Sequence, residues 1–133
     1  MNVIITYVLT LFVFAVIDTA WLGTMGDRVY RPLIGSMLAE DFRVIPAVVF
    51  YAVYAAGLTL FAVWPGFTGG DWQKALIWGG LFGLFAYATY DLTNLATLKS
   101  WSVKLVVIDI AWGIIVSAGS SALACVLALK LLR

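Results

Sequence analysis

Histidine is absent from this chain and cysteine occurs once, at Cys125. The usual zinc sites and imidazole bases are therefore unavailable, and no internal disulfide can form. Charge is nearly as scarce, at 11% of residues against the roughly one quarter typical of soluble domains. A net charge of +1, with no basic stripe, excludes a nucleic-acid partner. The sequence points to no metal and to no cofactor.

What fills the space is apolar. Hydrophobic residues make up 64% of the chain and mean hydropathy is +1.04, which places it in the lipid bilayer. Four segments, near 3–25, 44–64, 75–98 and 103–129, have the roughly 20 residues that a helix needs to cross about 30 Å of hydrocarbon. The alternation of a membrane barrel is missing, and in lipid only a helix otherwise satisfies its own backbone. The expected fold is all-α, a single transmembrane domain (1–133) built as a four-helix bundle. The first segment does not read as a cleaved signal peptide: no basic residue precedes it, it is too long, and no small-residue cleavage site follows.

The connections differ in character. "WPGFTGGD", 64–71, carries Pro65, Gly66, Gly69 and Gly70 and reads as a tight exposed turn. The longer segment 26–43 places Leu33, Ile34, Met37 and Leu38 on one helical face, which predicts a short interfacial helix near 30–40. Lys99 to Ser102 is a very short link, so the third and fourth helices should be antiparallel neighbours. Arg28, Arg31, Arg43, Lys99 and Lys104 lie on the side of loops 26–43 and 99–102, against Lys74, Lys130 and Arg133 opposite; this bias puts those two loops in the cytoplasm.

Three aspartates interrupt the apolar segments. Asp18 lies in "IDTAWLG", Asp109 in "IDIAWG" and Asp91 in "YATYDLTNLATL". Each is about six or seven residues from the same end of its helix, so at 1.5 Å per residue all three sit roughly 9–11 Å below one surface. An intramembrane aspartate costs about 2.5–3.5 kcal/mol on insertion scales and normally faces the bundle interior or a wet cavity. Three at one depth point to a shared polar binding site. Trp21 stands three residues after Asp18, Trp112 three after Asp109, and Tyr87 and Asn94 flank Asp91 at i−4 and i+3; each shares a helical face with its aspartate. Tyr51 and Tyr54 of the second helix reach similar depth, and all of these can donate to a buried carboxylate. The plainer alternative is interhelical glue, at about 0.6 kcal/mol per hydrogen bond. Ser, Thr or Asn would provide glue at lower desolvation cost, which favours a functional set.

A shift of 73 residues lays "LFVFAVIDTAWLGTM" over "LFAYATYDLTNLATL" with six identities, so the first and third helices look like parallel copies of one element. Gly79 and Gly83 form a small-xxx-small pair that permits close helix approach, and Gly113, Ser117, Ser120, Ser121 and Ala124 make a small-residue stripe on the last helix. Trp64, Trp72, Trp78 and Trp101 near segment ends suit an interfacial belt. Cys125, far from the aspartates, reads as a core residue.

The blocks "FAVIDTAWLG", "YAVYAAGL", "YATYDLTNLATLK" and "VVIDIAWG" resemble those of a family of small bacterial membrane proteins known as a domain of unknown function. That resemblance covers essentially the whole chain. It implies a bacterial inner-membrane location and four helices, and it brings no activity. Three classes therefore stay open from the residues. One is a binder or transporter of a proton, cation or amine, because neighbouring buried carboxylates can hold and exchange a proton. A second is a membrane enzyme acting on a lipid or isoprenoid, with an aspartate as general acid or base. The third is a non-catalytic subunit whose carboxylates meet a partner's basic residues. Since 133 residues make a small transporter, a homodimer is expected, with the Gly79/Gly83 face as its interface.

Overall fold

Asp71 and Ser102 set the starts of two long helices. The Asp71 carboxylate accepts from the backbone N–H groups of Gln73 (2.9 Å) and Lys74 (3.3 Å), and Ser102 Oγ accepts from Leu105 N–H (3.3 Å). Each caps donors that the first turn of a helix leaves open. In the computed structural model, which describes residues 1–133, the helices are α1 (Asn2–Met25), α2 (Arg31–Ile34), α3 (Val44–Leu58), α4 (Trp64–Gly69), α5 (Trp72–Thr97) and α6 (Val103–Leu132), with no strands.

These elements form four helical runs long and apolar enough to cross a membrane: Asn2–Met37, Val44–Gly69, Trp72–Thr97 and Val103–Leu132. Two joints differ from the expectation. A π-helical turn, Gly26–Tyr30, carries α1 into α2 without a stop, so the short helix near 30–40 is the tail of the first run. Another, Thr59–Val63, joins α3 to α4 through Pro65. Proline lacks an N–H and crowds the carbonyl four residues back; a widened turn ahead of it removes the clash and lets the helix continue. The segment 64–71 is thus mostly helix. The reversal is confined to Gly70, at φ +65°, and Asp71, while Gly66 and Phe67 are buried.

The bundle is apolar outside and selectively polar inside. Ile4, Val8, Phe12 and Val16 form an exposed stripe at i, i+4 spacing on α1, while Thr6, Thr10 and Asp18 are buried. Thr6 and Thr10 return their hydroxyls to carbonyls four residues back (2.7 and 2.8 Å), which satisfies them without water. α6 packs against both α5 and α1, which scarcely touch each other. Close approach along α5 and α6 comes from Gly79 and Gly83: a Cβ on Gly79 would meet Ser121, and one on Gly83 would meet the Gly113 carbonyl and Ser117. The small-xxx-small face is therefore packed against α6 of the same chain.

Burial is layered along the bundle axis. One end holds Val63, Phe67, Ala75, Ala124, Cys125 and Ala128; Phe14, Tyr54, Leu58 and Val116 fill the middle. The three aspartates occupy the remaining end, below the links 26–43 and 98–102.

Candidate functional site

Asp18, Asp91 and Asp109 are 5%, 0% and 8% exposed, so all three carboxyls are withdrawn from the surface. Their surroundings differ. Asp18 on α1 is fully partnered: Oδ2 accepts from the Tyr51 hydroxyl on α3 (2.7 Å) and Oδ1 from Trp112 Nε1 on α6 (3.0 Å). It ties three helices together. Asp109 on α6 accepts at Oδ1 from the Tyr30 hydroxyl (2.7 Å), which itself accepts from Trp21 Nε1 (3.0 Å). Beyond Asp91, Tyr30 is the one protein donor that Asp109 meets. Asp91 on α5 lies within hydrogen-bond reach of the Asp109 carboxyl and meets no other partner, so the pair can be joined only through a shared proton.

The tryptophans cross over. Each is three residues from an aspartate on its own helix, but Trp112 serves Asp18 and Trp21 reaches Asp109 only through Tyr30. The cause is the stack between them: the indoles lie face to face, centroids 4.2 Å apart and 7° from parallel. Each N–H is thereby carried past its own helix to the opposite partner. Such stacking adds about 0.5–1.5 kcal/mol beyond burial and stiffens the network.

Asp18 and Asp109 line one cavity of about 130 Å³, together with Tyr30, Tyr87, Tyr90, Trp101 and Trp112. Two carboxyls and five aromatic side chains thus border one small space. The protein's carboxyls do not converge into a three-ligand set for a metal ion. Trp101 Nε1 is buried in this region without a partner, so this residue belongs to the cavity wall rather than to an outer belt.

Other expected site residues lie elsewhere or act differently. The Tyr54 hydroxyl pairs with Ser117 Oγ (2.7 Å) in the bundle middle and not with an aspartate. Tyr87 lines the cavity with its ring on Gly113, where any Cβ would collide with it, but it gives Asp91 no hydrogen bond. Asn94 is half-buried, outside the cavity wall, and it too gives Asp91 no hydrogen bond. Tyr30 and Tyr90 were not anticipated. Tyr90 directly precedes Asp91; Tyr30 sits in the link that follows α1, where only its position one residue before Arg31 and Pro32 could have marked it.

A family profile described as "Predicted membrane protein (DUF2177)" matches residues 3–126. The chain belongs to that family. The match reaches into all four helical runs and takes in the whole of the cavity wall and all three aspartates. No curated protein and no solved structure matches the chain. Membership makes this a membrane protein and leaves its chemistry to the geometry of the site.

Proposed function

We propose that this protein binds a small cationic species inside the bilayer and exchanges it for a proton, as a carrier does. The observation that carries this reading is the contrast between the carboxyls: Asp18 is saturated by donors from two other helices, Asp109 meets a single phenol, and Asp91 has no partner but the Asp109 carboxyl beside it. A bare carboxylate so buried costs several kcal/mol unless a proton or a cation accompanies it. Asp109 is then the ligand group, Asp91 the proton holder, and Asp18 a positioning residue acting through Trp112. Ring faces of Tyr87, Tyr90 and Trp112 contribute cation–π attraction, about 2 kcal/mol when desolvated.

The membrane is proposed to be a bacterial inner membrane, with loops 26–43 and 99–102 in the cytoplasm. The bias of five basic residues over three supports that orientation, although Arg31 is partly neutralised by Asp27 at 2.8 Å. The cavity would then open toward the cytoplasmic leaflet.

Proteoliposomes loaded with a pH-sensitive dye test the reading. An inward methylammonium gradient should drive proton efflux, and Asp109→Asn and Asp91→Asn should each lower the rate about tenfold or more, in line with losing a charged partner. Equal rates in wild type and both variants would overturn it.

A further inference from the structure

The cavity does not end at its own walls. Asp109, Tyr87 and Tyr90 also line a second space of about 520 Å³, bounded on the far side by Phe50 and Tyr54 of α3 and by Ala86 of α5. Phe50 and Tyr54 in turn line a third, about 620 Å³, which runs between α3 and α5 past Val53, Gly57, Phe61 and Phe82. The three spaces adjoin through shared wall residues and lie in a row from Asp109 to the lipid-facing surface of the bundle. Their character changes along the way: aspartate and phenols at the Asp109 end, then nearly unbroken hydrocarbon and aromatic rings.

We infer that the cation at Asp109 is the head group of a long-chain amine, which enters laterally between α3 and α5 and leaves its tail in the groove beside Gly57 and Phe82. This rests on the cation-site reading and specifies its ligand. Three observations fix the occupant. The row of spaces ends on a carboxyl that is nine-tenths buried and, apart from its aspartate neighbour, meets only the Tyr30 phenol, which selects a positive head over a neutral or anionic one. The 130 Å³ cavity beyond holds a head group but no chain. The groove follows α3 from Ile45 and Pro46, at the helix start, past Phe50 to Gly57 and Phe61, and its inner arm points toward the bilayer middle, as the tail of a membrane-borne amphiphile does. The Phe82 ring packs directly on Gly57, where a Cβ would collide with it, and the two together form part of the groove wall.

The test uses the full chain in phosphatidylcholine nanodiscs and a dodecylamine carrying a diazirine on its tail. Photolysis should label α3 and α5 around Phe50, Tyr54 and Tyr87, and excess dodecylamine but not dodecanol should suppress it. Asp109→Asn should cut labelling about tenfold, the effect of removing the charged partner. Val49→Trp and Val53→Trp, which fill the path from exposed positions on α3, should cut it similarly while methylammonium binding persists. Labelling that survives Asp109→Asn or both path-filling variants, or that a tail-labelled phosphatidylcholine reproduces and competes away, would overturn the inference. Methylammonium binding without amine labelling overturns the lateral route alone; loss of both in the wild type removes the cation site as well.

Discussion

At the scale of single residues, the donors to Asp18 hold the site in shape. Tyr51→Phe removes one donor and leaves a buried carboxylate oxygen bare, a loss of about 1–3 kcal/mol. Trp112→Phe should be worse, because it breaks both the second hydrogen bond and the stack on Trp21. Reversible unfolding in mixed micelles should rank the variants in that order. The double variant Asp18→Asn/Tyr51→Phe should lose less than the sum of its parts, since the partners share one bond; additive losses would show that the bond carries no stability. The positions of the aspartates were legible in the sequence because a carboxyl in an apolar helix stands out and helix length gives its depth. Their partners were not. Spacing of i+3 tells which face a tryptophan shares with Asp18, but the long indole reaches across to the next helix, and the stack between Trp21 and Trp112 depends on how α1 and α6 meet.

At the scale of elements, the contact between α5 and α6 dominates. Gly83→Leu would drive a side chain into the Gly113 carbonyl and Ser117, and overpacking of this kind destabilises by about 1–3 kcal/mol or more. Gly113→Ala should displace the Tyr87 ring and so weaken cation binding as well as folding. Thermal unfolding in detergent and methylammonium binding check the two effects; a Gly113→Ala protein with wild-type binding would detach Tyr87 from the site. The sequence marked Gly79 and Gly83 as a contact face without naming its partner, which is another helix of the same chain. It misplaced the second connection because Pro and Gly punctuate turns in water, whereas here a π-helical turn at Thr59–Val63 absorbs Pro65 and only Gly70 takes a turn conformation. Tyr30 escaped notice for a related reason: the link after α1 stays helical, and that continuity is what presents its hydroxyl to Asp109.

At the scale of the whole molecule, three layers divide the labour. The apolar end around Phe67 and Cys125 and the aromatic middle around Phe14 and Tyr54 hold the helices; the remaining end buries Asp18, Asp91 and Asp109 on that support. With its glycine face filled internally, the chain can form the site without a second copy. The central claim is that Asp91 and Asp109 trade a proton for a cation. Proton release on mixing methylammonium with the protein in weakly buffered nanodiscs measures this directly. One proton should be released with each cation bound, release should be abolished in Asp91→Asn, and both binding and release should be lost in Asp109→Asn. Binding without proton release, or release unchanged in Asp91→Asn, would contradict it.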